Sequence, residues 1–416
     1  MRSVAMVCLF AALGCADPVD LKIKGRVVLG SIADDSRLTS TKLSASANTR
    51  YEAMGNQLVL NGDIFYDGIY DLRPDRYSSA AAREYRWDVL VKEAYLRRGF
   101  GELEAYLGFQ RISWDISDGI RILDVLSPYD YRDFLLESVE SSRLPILALR
   151  LSRSVGSVSV EAIYSPFSSN DANPVFGSEF GPKLDAEIPV NYHRVPRYDW
   201  NLVNGRGGIR AQSTIGSVDA GICVVGGRSP TPFVATSMAF DSLGMPSLEA
   251  SERLEQQILV GYHLTWAFDQ FVLRHEAAAV PEKSFAGKEL GVEKTSSQLN
   301  AMVGVDYLYR DLVFGLQVSD RMMPDWDGSF YDAERMPFAT FSVKGDLFAA
   351  RLDYRASTVV MFRNGDGGLS QALATFALTD RASVEAGVDI LWGETQGLFG
   401  VYRNSDRVFG GFILHL

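Results

Sequence analysis

Segments of about ten residues in which apolar and polar residues alternate recur from one end of this chain to the other, and that repeat constrains its fold more than any other feature. A period of two is a strand period, and a strand with two unlike faces must divide two unlike surroundings. Leu299, Ala301, Val303, Val305 and Tyr307 stand on one face, with Asn300, Met302, Gly304 and Asp306 on the other. The pattern recurs at Leu312, Phe314, Leu316 and Val318, at Val384, Ala386, Val388, Ile390 and Trp392, and at Ile258, Val260, Tyr262, Leu264 and Trp266. Aromatic residues close several of these apolar faces, where an interfacial girdle lies in membrane strands.

The connections give an independent argument, because short and long ones alternate strictly. The short ones are Met54-Gly55-Asn56, 98–101, Ser154-Val155-Gly156, Gly216-Ser217, Phe268-Asp269, Arg310-Asp311, Lys344-Gly345-Asp346 and Asp380-Arg381. The long ones are 33–39, 69–86, 114–143, 166–206, 227–255, 280–296, 321–337, 361–369 and 393–406. Eight short turns and nine long links make eighteen strands with both termini on the short-turn side; sixteen is the alternative count, since 21–30 and 40–52 are the weakest pair. The expected fold is therefore all-β: one transmembrane antiparallel β-barrel over 17–416 with short periplasmic turns and long outer loops. No apolar run of about 18 residues follows the N-terminal segment, so strands must do the crossing. The last strand, Val408, Gly410, Phe412, Leu414 and Leu416, alternates to the final residue, as suits one that closes on the first. A soluble secreted β-sandwich, the competing reading, has to explain both that ending and the asymmetry of the turns.

The start, Met1-Arg2-Ser3, an apolar run over 4–13 and then Gly14-Cys15-Ala16, reads as a secretory signal over 1–16 with cleavage after Ala16. Lipidation at Cys15 is the alternative. Cys8 and Cys15 fall in that segment, leaving Cys223 as the one cysteine of the mature chain, without an internal disulfide, which fits a bacterial envelope. Removing Arg2 takes the 41 basic residues to 40 against 52 acidic, a net charge near −12, so nucleic acid is not expected as a partner. The expected surroundings are the outer membrane with its lipid and lipopolysaccharide or equivalent, the barrel assembly machinery, and a periplasmic partner if the chain belongs to a larger system.

Between the strands at 102–113 and 145–153 lies a loop too apolar for water. It carries Ile116, Ile120, Ile122, Leu123, Val125, Leu126, Phe134, Leu135 and Leu136, each forfeiting roughly 1.5 to 3 kcal/mol if left exposed. It is expected to leave the rim after Ser113, turn at Asp118-Gly119, lie in the lumen as a plug and return at Pro145, with Ser127-Pro128 starting a short helix over Tyr129 to Leu136. Trp114, Asp118, Gly119, Arg121, Asp124, Pro128, Asp130, Arg132 and Arg143 are its candidate functional residues, its charges pairing with the lumen. A cap over the mouth is the alternative.

At this loop the chain resembles a broad porin-like family of proteobacterial outer-membrane β-barrel proteins, most of it a domain of unknown function. The resemblance lies in Glu93-Ala94-Tyr95-Leu96, Gly108-Phe109-Gln110, Ser113-Trp114, Asp118-Gly119, Leu123-Asp124-Val125, Pro128, Asp130, Phe134 and Ser142-Arg143-Leu144-Pro145, and weakly in 161–166 and Gly177-Ser178-Glu179-Phe180. It covers roughly a fifth of the chain and implies a barrel at the outer membrane, without a substrate. Asp115 stands where the family usually has Gly, and Leu416 where such barrels commonly end in Phe.

Opposite the aliphatic rows stand Arg150, Glu161, Arg210, Asp219, Arg274, Glu276, Asp306, Arg351, Asp353, Arg355, Glu385 and Asp389. Arg or Lys facing lipid at mid-bilayer costs about 2 to 4 kcal/mol, so these residues are expected to line a wet lumen, setting selectivity or pairing across it. His193, His263, His275 and His415 show no metal-ligand spacing, and no Ser stands out as a partner for His263; no metal, cofactor or enzymatic activity is expected. Asn364-Gly365-Asp366-Gly367-Gly368 reads as a hairpin turn rather than a calcium loop. The resulting expectation is an outer-membrane channel for small solutes narrowed by 114–143. The alternatives are the outer-membrane part of an export or import system for apolar molecules, using Ile116, Ile120, Leu123 and Leu126, and a closed structural or ligand-binding barrel.

Overall fold

The computed structural model describes residues 20–30, 37–182, 188–348, 350–363 and 366–416. The expected signal segment 1–16, with Cys8 and Cys15, lies outside the described residues, as do most of the first long link and Asn364-Gly365.

Eighteen strands form the wall. The first seven are β1 (Asp20–Gly30), β2 (Arg37–Ala53), β3 (Asn56–Asp67), β4 (Trp87–Phe100), β5 (Leu103–Gln110), β6 (Ile146–Val155) and β7 (Val158–Ser165). Then come β8 (Arg206–Ile215), β9 (Val218–Arg228), β10 (Gln256–Phe268), β11 (Phe271–Ala286), β12 (Glu293–Tyr309) and β13 (Leu312–Met322). The circuit ends with β14 (Arg335–Leu347), β15 (Leu352–Met361), β16 (Gly367–Thr379), β17 (Ala382–Gly393) and β18 (Arg407–His415). Each pairs antiparallel with the next, and β18 pairs with β1 from Lys22↔His415 to Gly30↔Arg407, so the sheet closes without an edge. The uncertain first pair of strands is present, and the count is eighteen rather than sixteen.

Side chains sort by face as the alternation requires. Val303 is 60% exposed on the outside while its neighbour Met302 is 1% exposed inside. Ile258, Val260, Tyr262, Leu264 and Trp266 form a similar outward row on β10. Near the short turns Phe268, Phe271, Tyr307 and Phe314 run ring against ring around the outer face. Water does not tolerate such a belt, and the interface of a bilayer favours it.

Several boundaries differ from expectation. The hairpin β11–β12 continues past 280 through a bulge between Val280 and Lys283, so its link shrinks from 280–296 to 287–292. Lys344, Gly345 and Asp346 are strand rather than turn. The chain reverses after them: Phe348 and Ala350 have positive φ, and Arg351 consequently sits in the turn before β15 instead of on the wall. The loop after β5 begins at 111 and ends at 145, three residues earlier and two later than 114–143. The helix expected over Tyr129–Leu136 does not form, because the backbone there bonds to other segments: Asp130 N donates to Ser142 O at 2.7 Å and Tyr131 N to Ala172 O at 2.9 Å. A short helix instead occupies Val139–Ser142, capped by Ser138, whose Oγ accepts from Ser141 N at 3.2 Å.

Candidate functional site

The 111–145 loop lies inside the barrel and touches three sides of its wall. Trp114 is buried over β7 and β8: its Nε1–H donates to Glu161 Oε1 at 2.6 Å, and the Arg210 guanidinium stacks on its ring. Arg150 and Arg210 both converge on Glu161. On β11 the fully buried Glu276 accepts from Ile116 N and Leu123 N, both at 3.0 Å. Gly119, at φ +87°, turns the tip. There Asp118 meets Arg274 at 2.7 Å, which also meets Asp306 at 2.9 Å, while Asp118 and Gln317 on β13 exchange two hydrogen bonds. The other half of the loop leans on the opposite arc. Glu137 meets Arg26 on β1 at 3.2 Å, Asp133 meets Lys42 on β2 at 3.4 Å, and Leu136 O accepts from Gln371 on β16 at 3.1 Å.

The aliphatic side packs on the wall, not on open lumen. Ile122, Leu123 and Leu126 are at most 2% exposed among Ile146, Ile163, Val225, Leu259, Ala278 and Met302, each contributing roughly 1.5 to 3 kcal/mol of burial. The strands make room with small residues: a Cβ on Gly261 would stand 2.2 Å from Leu123 Cδ2 and 2.7 Å from Ala277 O. Leu123→Ala, which empties that seat without touching the strand ladder, is therefore expected to loosen the loop, read as new protease cleavage within 111–145 of the folded barrel. Unchanged protection would mean that Leu123 does not seat the loop.

Most loop charges pair among loops instead of with the wall, which corrects the expectation for them. Arg121 makes 3.0 Å contacts to both carboxylate oxygens of Asp171, a residue of the next long loop, and lies 4.4 Å above the Tyr129 ring. Asp124 is held by Arg143 at 2.6 Å and by the Tyr129 hydroxyl. Burial keeps the Asp124 carboxyl above its usual range despite the two arginines. Arg132 is the exception: it bridges Asp130 of the loop at 2.7 Å and Asp88 on wall strand β4 at 3.1 Å. Burial raises the Asp130 carboxyl, and Arg132 lowers it by more, to about 2, so this pair stays ionised well into acid. Pro128 lends its carbonyl to Leu144 N at 2.8 Å, closing the neck of the loop.

The charges read from the strands divide into three groups. Glu161 and Glu276 are covered anchors of the loop. Arg150, Arg210, Arg274, Asp306, Glu385 and Asp389 belong to inward ion pairs, Glu385 with Lys24 and Arg26 and Asp389 with Arg407. Asp353 and Arg355 face open lumen, Asp219 accepts from Thr214 near a short turn, and Arg351 stands in a turn. His263 is buried on the same inward face as its partner Glu276. Sequence reading missed the basic row of β1 and β2. Lys22, Lys24 and Arg26 alternate with Leu21, Ile23 and Gly25, a signal available in the strand judged weakest.

Among the described residues, open chambers lie on either side of the loop. One, of about 240 Å³, lies against β1–β4 between the basic residues Lys24, Arg26, Lys42, Lys92 and Arg407 and the loop acids Asp130, Asp133 and Glu137. The other, of about 450 Å³, lies against β14–β17; Phe338, Val359, Leu369, Leu373 and Phe399 make it more apolar, and Lys344, Arg355 and Asp389 add charge.

No family model and no curated protein matches this chain. Solved structures do. Acinetobacter baumannii OccAB1 superposes with a TM-score of 0.52 at 8% identity, covering 96% of this chain and 95% of that one. Pseudomonas aeruginosa OccK2 (OpdF) in complex with glucuronate gives 0.52 at 9% identity, over 96% of both chains. Pseudomonas aeruginosa OpdK with vanillate gives 0.51 at 8% identity, over 96% of this chain and 98% of that one. At such identities the likeness is one of fold: a porin-like barrel along essentially the whole described chain.

Proposed function

We propose that this chain is an outer-membrane channel for small solutes, with the 111–145 loop as a fixed constriction. The observation that carries this reading is a closed wall of eighteen strands crossed inside by a loop that fills only part of the lumen. Barrels of 16 to 18 strands are wide enough to leave an aqueous channel, and opposed rows of charge across a narrow passage select among solutes. Vanillate and glucuronate, held in the structures of two proteins of like fold, indicate the size of solute in view. In this reading a signal over 1–16 exports the chain, assembly machinery inserts it, the short turns face the periplasm and the long loops meet lipopolysaccharide or its equivalent. The apolar-export alternative needs a continuous apolar path along the loop, whereas Leu123 and Leu126 are 1% exposed and spent on the wall. Proteoliposomes carrying the purified chain are expected to swell in a pentose and not in a tetrasaccharide; absence of swelling in every solute would contradict the proposal.

A further inference from the structure

The inward face of β14–β16 is a ladder whose rungs are fixed by strand register. Ser342, Ser357 and Gln371 share one rung, Lys344, Arg355 and Leu373 the next, and Asp346, Asp353 and Thr375 the one nearest the short turns. Gln371 holds Leu136 of the loop, so the Lys344–Arg355 rung lies directly on the short-turn side of the constriction.

Two features set this rung apart. Like charges directly opposite one another on adjacent strands destabilise a sheet, yet Lys344 and Arg355 face each other. Both are exposed to the lumen, and neither side chain makes an ion pair or hydrogen bond with any described residue. Lys24, Arg26, Lys42, Lys92, Arg150, Arg210, Arg274 and Arg407, by contrast, each lie within 4.0 Å of a carboxylate. Two solvated cations at one rung form a site for one anionic group, for which the guanidinium of Arg355 offers a forked pair of donors. Beside them the same chamber presents Leu373, Val359, Phe338 and Leu135. Below them the opposed carboxylates Asp346 and Asp353 repel an anion from moving further.

We propose that Lys344 and Arg355 form a binding subsite for the carboxylate of a small amphipathic monoanion, whose apolar body lies against Leu373, Val359 and the loop. The subsite rests on the channel reading for its place in transport but not for its chemistry. The probes are benzoate and, as a control of similar size and opposite charge, benzylammonium, titrated calorimetrically into the purified full chain in detergent. The native chain is expected to bind benzoate and not benzylammonium. Lys344→Gln combined with Arg355→Gln is expected to weaken benzoate binding at least about tenfold, as truncating both members of a charged recognition pair does, while Lys344→Arg retains it. Heat-modifiable gel migration shows that each variant is folded. Equal benzoate affinity in the native chain and the double variant, or none in the native chain, overturns the subsite even if the barrel conducts salt. Charge-dependent binding to a barrel that conducts nothing upholds the subsite and removes the channel reading instead.

Discussion

Asp171→Ala is expected to unfasten the loop from inside while leaving the barrel standing. Asp171 is 2% exposed and takes both contacts from Arg121, the Tyr129 backbone N–H at 2.8 Å and the Thr231 hydroxyl at 2.8 Å. It thus ties three long loops together at one carboxylate. Removing it strands the Arg121 charge in the interior, a loss of about 3 to 5 kcal/mol, because an unpaired buried charge costs more than its pair contributed. The wall keeps its strand ladder, so the damage is confined to the loops. Trypsin is expected to cut at Arg121, Arg132 or Arg143 in the folded variant and to leave the native barrel intact there. Asp171→Asn keeps one acceptor oxygen, for the Tyr129 N–H, while its amide N–H can donate to the Thr231 hydroxyl, and it is expected to be intermediate. An unchanged digestion pattern in the alanine variant would mean that the buried ion pair does not hold the loop.

The second large effect concerns the outer face. Val303 and Leu316 are 60% and 48% exposed, lie on neighbouring strands and stand well inside the belt bounded by the aromatic run. An arginine at mid-bilayer costs about 2 to 4 kcal/mol, so Val303→Arg with Leu316→Arg is expected to abolish folding into lipid vesicles, scored as loss of the heat-modifiable band. Asn300→Arg, three residues back along the same strand and facing inward, is expected to fold. Gln317, although it also faces inward, is unsuitable as such a control, because it carries the hydrogen bonds to Asp118. Equal folding of all these variants would contradict the assignment of faces.

What the sequence made legible was whatever a local period controls. Strand count, closure, the alternation of turns and the outward rows all follow from side chains two residues apart, and Val303 beside Met302 could be sorted by eye. The aliphatic content of the loop likewise required it to be buried. The pairings inside that loop were not legible, because they join segments distant in sequence. Nothing around Arg121 points to Asp171, fifty residues on, and nothing in Tyr129–Leu136 reveals that its amides are taken by Ser142 and Ala172. Arg351 was misplaced for a smaller reason: the turn slid by a few residues and took the side chain off the wall. Lys24 and Arg26 were within reach, since they alternate like any other strand, but the segment around them lacked a strong apolar row.

The most direct test of the central claim, that the loop is a built-in constriction across an otherwise open barrel, is single-channel conductance in planar bilayers with and without it. The native chain is expected to give small discrete steps. Replacing 114–143 with a short glycine-serine linker removes Trp114, Asp118 and Leu123 from the lumen and is expected to raise the step several-fold, in keeping with the aqueous width of an eighteen-stranded wall. A step of the same size in both chains would contradict the claim, as would a bilayer that stays silent with the loop gone.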